Sequence, residues 1–144
     1  MTIDADLLRE SFALIAQREP HLTRRFYDNL FATHPQLRRL FDPRRRGRQE
    51  KMLAEALVAV LWHLEEPDWL AGQLGALGAK HVGYGVESEM YDAVGECLLM
   101  TLGEVAGEDW RPPVRAAWTE AFGAIRDLML AGAAEAERPM VAGA

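Results

Sequence analysis

The chain has 144 residues, 49% of them apolar and 26% charged, with a formal net charge of -6 and a pI near 5.2. That length suits one domain with a self-sufficient core, and the acidic balance argues against nucleic acid as the main partner. A lone cysteine, Cys97, excludes an internal disulfide and a Cys-rich zinc module and fits a reducing, cytoplasmic setting; the opening MTIDADLLRE has no signal-peptide character, and no apolar run is long enough to cross a bilayer.

Helical periodicity dominates and strand signals are poor. The spacing predicts a first helix over 4–18 with Leu7, Leu8, Phe12 and Ile15 inward. A second helix, with Pro20 in its first turn, carries Phe26, Tyr27, Leu30 and Phe31. Pro35 closes it and opens a short turn ending at Leu40 and Phe41. The charge run DPRRRGR, 42–48, reads as a solvated connector, with a docking patch for an acidic partner as the sharper alternative. A long helix over 49–64 follows, with Gln49, Met52, Leu53, Ala56, Leu57, Val60, Leu61 and Leu64 on one face. Pro67 punctuates the chain before a helix in which Leu74, Leu77 and His81 share a face, and Gly83 and Gly85 break it. Ser88 is the expected N-cap of the next helix, whose stripe is Tyr91, Val94, Gly95, Leu98, Leu102 and Val105. A last helix starts near 110–112 and carries Val114, Trp118, Phe122, Ile125 and Met129. Residues 133–144 are expected to form a frayed tail. Six long or medium helices with one or two short ones in a single domain make an all-α fold, either a bundle or a globin-like pairwise packing.

Three polar residues stand where the stripes ask for apolar ones: Tyr27, Gln49 and His81. A buried polar group without a partner costs roughly 1–3 kcal/mol. Taken singly, each reads best as a core residue satisfied locally; taken together, they point to a shared ligand between helices. No HExxH, CxxC, GxSxG or phosphate-cradling loop is present, and Cys97 on an apolar helix reads as a small hydrophobe. His21, His34 and His63 make no multi-histidine metal site with His81. A single histidine cannot hold a bare metal ion tightly, but it can hold a metal that brings four equatorial nitrogens of its own, which is a haem.

With those residues in view the chain resembles a globin, and within that family the bacterial single-domain globins and the haem domain of flavohaemoglobins. The carrying segments are FYDNLFATHPQLRRLF (26–41), QEKMLAEAL (49–57), LGAKHVGYGV (77–86), YDAVGECLL (91–99) and RAAWTEAFGAI (115–125). The resemblance implies a globin fold of six to eight helices around one haem b over about 4–132. It implies His81 as the proximal iron ligand, Tyr27 and Gln49 as the distal pair that meets bound gas, and Phe41 against the haem plane. Leu53 and Leu57 match the apolar distal wall, Val86 and Val94 line the pocket, and Tyr91 matches a proximal-side tyrosine of flavohaemoglobins. Lys80 and an arginine of the 44–48 run are candidates to meet the haem propionates. One departure is a late glutamate of flavohaemoglobins that joins the proximal histidine and tyrosine. Aligned on Trp118, its place falls to Ala133, with Glu135 two residues off. No flavin or nicotinamide domain follows in this sequence, so reduction is expected from a separate flavin reductase.

The resemblance implies binding of dioxygen, nitric oxide and carbon monoxide, for oxygen storage, delivery or transport. Nitric oxide dioxygenase chemistry is the alternative, a gas sensor ranks third, and a haem-free helical bundle with His81 as a core residue is the bland fourth reading. Monomer and homodimer are both compatible with the sequence.

Overall fold

The computed structural model describes residues 3–137. It contains six α-helices: α1 (Ala5–Arg18), α2 (Leu22–Thr33), α3 (Arg46–Trp62), α4 (Pro67–Gly83), α5 (Ser88–Ala106) and α6 (Pro112–Glu137). Short 3-10 turns at Pro35–Leu40, Pro43–Arg45 and Gly107–Asp109 join them, and no strand occurs among the described residues. The all-α expectation holds.

Five boundaries fall elsewhere than the pattern predicts. Pro20 lies in the turn before α2, where the His21 N–H donates to Glu19 Oε1 at 3.0 Å, and the helix starts at Leu22. The charge run is not a connector throughout. Asp42 accepts from the Arg44 N–H at 3.0 Å, and the turn it caps feeds straight into α3 at Arg46, three residues ahead of the expected start. Arginine is a good helix former, and Arg46 pairs with Glu50 one turn on at 3.0 Å. That helix also ends at Trp62, because the His63 N–H bonds back three residues to the Val60 carbonyl. The N-cap of α5 is Glu87, with Ser88 the first helical residue; the Glu87 N–H points at Met90 Sδ, 3.4 Å away. The last helix continues through Glu137, and Ala133 is buried in it, so the expected fraying from 133 fails. Residues 138–144 lie outside the described residues.

The core falls into two apolar clusters. The larger joins α1, α2, α5 and α6 through Leu8, Ile15, Phe26, Leu30, Leu102 and Trp118, and takes Leu53 and Leu57 of α3 against its edge. The smaller joins α4, α5 and α6 through Leu70, Leu74, Tyr91 and Met129, with Val60, Leu77 and Val86 against it. Helix α3 therefore touches both clusters, yet only its Leu61 is fully buried, and Met52 is exposed rather than inward. Two polar side chains of the larger cluster, Thr101 and Trp118, find partners within it or at its edge. Thr101 donates to the Cys97 carbonyl at 2.7 Å and accepts from Asn29 at 2.9 Å. The Trp118 indole donates to Ser11 Oγ at 2.9 Å.

Helices α4 and α6 approach so closely that there is no room for side chains between them. A Cβ on Gly78 would lie 1.9 Å from the Met129 carbonyl oxygen, and one on Gly132 would lie 2.0 Å from that of Gly75. The obstacle is backbone, so it cannot rotate away. Gly78→Ala should therefore lower unfolding stability by roughly 1–3 kcal/mol, as overpacked cores do, read as a lower urea midpoint with unchanged slope. An unchanged midpoint would mean that the two helices separate freely.

Candidate functional site

On one side of α3, Tyr27 stands in an aromatic group. Its ring lies 5.0 Å from Phe26 and 5.5 Å from Phe41, both edge-on, and 5.9 Å from Phe31 in a stacked arrangement. Leu53, Leu57 and Val94 pack on the same cluster. The ring is buried, and its hydroxyl has no hydrogen bond among the described residues. Burial, then the nearby Glu50 carboxylate, push the Tyr27 hydroxyl up to about 12, against the opposing pull of Arg46. It is a protonated donor at physiological pH. Gln49 is half-buried, one turn before Leu53; no hydrogen bond joins it to Tyr27 among the described residues.

Helix α4 delivers His81 within two residues of its end. Pro67 starts that helix at a position where its missing N–H costs nothing. Gly85, at φ 81, ends it in the left-handed region, with the Val86 N–H returning to the His81 carbonyl at 3.0 Å. His81 is half-buried, and its Nδ1 lies 2.7 Å from the Leu77 carbonyl oxygen. A carbonyl only accepts, so Nδ1 carries the proton and Nε2 keeps its lone pair. Burial lowers the His81 pKa, outweighing the Leu77 hydrogen bond that would raise it, which keeps the ring neutral. Tyr91 lies 6.2 Å away, ring to ring, and belongs with Val86 to the smaller cluster.

Ala133 lines a cavity of about 430 Å³ together with Tyr91, Val86 and Glu137. So Ala133 and Tyr91 line one cavity, and three carboxylates line it with them: Glu87 and Glu89 at the start of α5, and Glu137, one helical turn after Ala133. Sequence reading missed Glu137 because it ended the helix too early. Burial raises the Tyr91 pKa, and Glu137 adds to the rise. Lys80 is exposed and makes no ion pair among the described residues. Within the arginine run, Arg44 is bound to Asp42 at 3.2 Å. Arg46 is turned away toward α2, bonding Asp28 at 2.6 Å. Arg45 and Arg48 are exposed.

Six α-helices, with an imidazole nitrogen of His81 available on α4 and Tyr27 in an aromatic group on α2, define an all-α protein. Residues 24–129 match the globin family model, and the chain belongs to that family. A flavohemoprotein of Deinococcus radiodurans is 37% identical over 111 residues, which cover 76% of this chain and 28% of that protein. One from Rhizobium meliloti is 32% identical over 86% of this chain and 31% of its own length. The chain thus spans about a third of the curated relatives it matches. Among solved structures, an engineered carbene transferase made from a candidate nitric oxide dioxygenase of Rhodothermus marinus superposes with TM-score 0.79 at 27% identity, covering 91% of both chains. A bacterial globin of Campylobacter jejuni shares the fold, with TM-score 0.78 at 22% identity over 91% of this chain and 94% of its own.

Haem is the cofactor of the globin family, and the donor set here fits it. His81 offers a neutral nitrogen already oriented through its other nitrogen. No group of three or more His, Cys, Asp or Glu side chains suited to a bare ion occurs among the described residues.

The Tyr27 shift carries a linkage. An unfolded tyrosine loses its proton near its ordinary 10.0, the folded one near about 12, so the folded state holds more protons in between. Stability is whole below 10.0 and falls as pH rises toward 12. Tyr27→Phe should flatten this alkaline limb in urea titrations taken between the two values; a limb of unchanged steepness would show that Tyr27 does not carry it.

Proposed function

We propose that the chain binds haem b through His81 Nε2 and takes up dioxygen on the opposite side under the Tyr27 hydroxyl. The observation that carries this reading is the Nδ1 hydrogen bond to the Leu77 carbonyl, which leaves Nε2 free with its lone pair exposed to a partner. Haem, when bound, would supply an iron able to take a diatomic gas. The chain's own residues do the rest. Phe41, Leu53, Leu57 and Val94 make the Tyr27 side apolar, which excludes water. The Tyr27 hydroxyl, protonated and without another partner, donates to the gas ligand and slows its release. Gln49 completes the distal pair. Val86 and Tyr91 back His81 on its own side, and Lys80, Arg45 and Arg48 are the exposed cations available to the propionates.

The acceptor at His81 is a backbone carbonyl rather than a carboxylate. A neutral acceptor gives the imidazole less anionic character, so it pushes less electron density to the metal. That favours holding dioxygen over activating it.

A second reading is nitric oxide dioxygenase activity, with carbon monoxide as an inhibiting ligand. It is favoured by the likeness to flavohemoproteins and to the Rhodothermus marinus protein. It requires electrons from a flavin reductase. The exposed arginines of the 44–48 run suit an acidic face on such a partner.

Two measurements test the proposal. His81→Ala should lose the histidine-ligated absorption spectrum of the haem-reconstituted wild type in ferric, ferrous and carbon-monoxy forms; matching spectra would return His81 to the core. Tyr27→Phe should speed dioxygen release by roughly ten- to hundredfold, the worth of a hydrogen bond to a charged acceptor at about 1.5–3 kcal/mol. Sustained nitrate production with nitric oxide, dioxygen and an added reductase would move the assignment to the dioxygenase, whereas single-turnover oxidation would leave it with dioxygen binding.

A further inference from the structure

Arg46 opens α3 and is the most heavily engaged arginine of the charge run. Its Nη2 donates to Asp28 Oδ1 at 2.6 Å and to the Arg24 carbonyl at 3.1 Å, both on α2. Its Nε donates to Glu50 Oε2 at 3.0 Å, one turn along α3. The guanidinium carbon also lies 5.9 Å from the centre of the Tyr27 ring and 5.7 Å from that of Phe31. One planar group therefore binds two carboxylates and a backbone carbonyl with its edge and rests near two buried aromatic rings. An ordinary surface ion pair adds little, because two mobile side chains gain little in water. Here the fork is held from three directions, a geometry that arginine supports and lysine does not.

The consequence reaches the pocket. The contacts fix the first turn of α3 to α2 at the level of Tyr27, and Gln49 and Leu53 follow within the next two turns. We propose that Arg46 is the positioning residue of the distal pocket, locking the Tyr27 ring and the start of α3 into one unit so that the Tyr27 hydroxyl presents a single orientation to the gas ligand. This rests on the globin reading with Tyr27 as the donor. The same cation near the phenol ring strengthens the hydroxyl as a donor. Its hydrogen-bonding edge is committed to Asp28, Glu50 and Arg24, so a role at the propionates falls to its neighbours Arg45 and Arg48.

The test uses the haem-loaded protein as wild type, Arg46→Met, Tyr27→Phe and the double variant. Two quantities are read: the infrared C–O stretch of the ferrous carbon-monoxy form and the dioxygen dissociation rate by stopped flow. Arg46→Met should broaden or split the C–O band and speed release by roughly three- to tenfold, and the acceleration should vanish in the Tyr27→Phe background, since coupled neighbours are non-additive. A wild-type band and rate in Arg46→Met, or the same acceleration without the tyrosine hydroxyl, would overturn the proposal. If Tyr27→Phe alone moves neither readout, the donor assignment itself is wrong, and the Arg46 proposal falls with it. Should Arg46→Met fail to fold, Asp28→Asn loosens the anchor from an exposed position on α2 and should shift both readouts in the same direction by less; no shift there counts against the proposal.

Discussion

The approach of α4 to α6 is the constraint on which the His81 side of the molecule depends. Backbone meets backbone at Gly75 with Gly132 and at Gly78 with Met129, with no Cβ between them. Such contact fixes both the distance and the angle of the two helices, because neither surface can deform. His81 lies less than one turn beyond Gly78, so its position relative to α6 is inherited from this crossing. Tyr91, Ala133 and Glu137 meet beside it for the same reason. The left-handed Gly85 then turns the chain away before α4 can run on past the pocket.

Two residues bear the cost of the pocket, and they bear it differently. His81 is relieved through one nitrogen by a carbonyl of its own helix, so burial leaves it neutral and oriented. Tyr27 has no such relief. Its hydroxyl is held protonated by desolvation and by Glu50, while Arg46 draws the other way. In the function proposed, the neutral lone pair of His81 would hold the cofactor and the under-used donor of Tyr27 would meet the gas it binds.

Much of the fold was legible from the helical stripes, because each apolar face faces another helix and the 3.6-residue period survives in the sequence. His81 was legible as a polar residue among Leu74 and Leu77, and Tyr27 as one among Phe26, Leu30 and Phe31. What escaped were features whose cause lies across the fold. The run at 42–48 looks like a solvated loop until Asp28 and the Arg24 carbonyl, both from α2, are brought to Arg46. Glu137 looks like tail until α6 is seen to continue along the Tyr91 cavity. The stripe of α3 predicts a buried helix, yet that helix is mostly half-buried, since its face spans two clusters rather than packing into one.

The charge run also shows how one local signal can carry two meanings along its length. Arg44 closes on Asp42 two residues away, which is turn chemistry and depends on nothing distant. Arg46, two residues further on, is a tertiary contact that joins two helices beside an aromatic cluster. Arg45 and Arg48 remain at the surface. Composition weighs all four alike. The difference arises from the 3.6-residue turn, which directs positions 46 and 50 toward α2 and leaves 45 and 48 on other faces. The basic stretch at the start of α3 therefore divides into Arg44, held by the Asp42 cap, Arg46, tied to α2, and two solvent-facing cations.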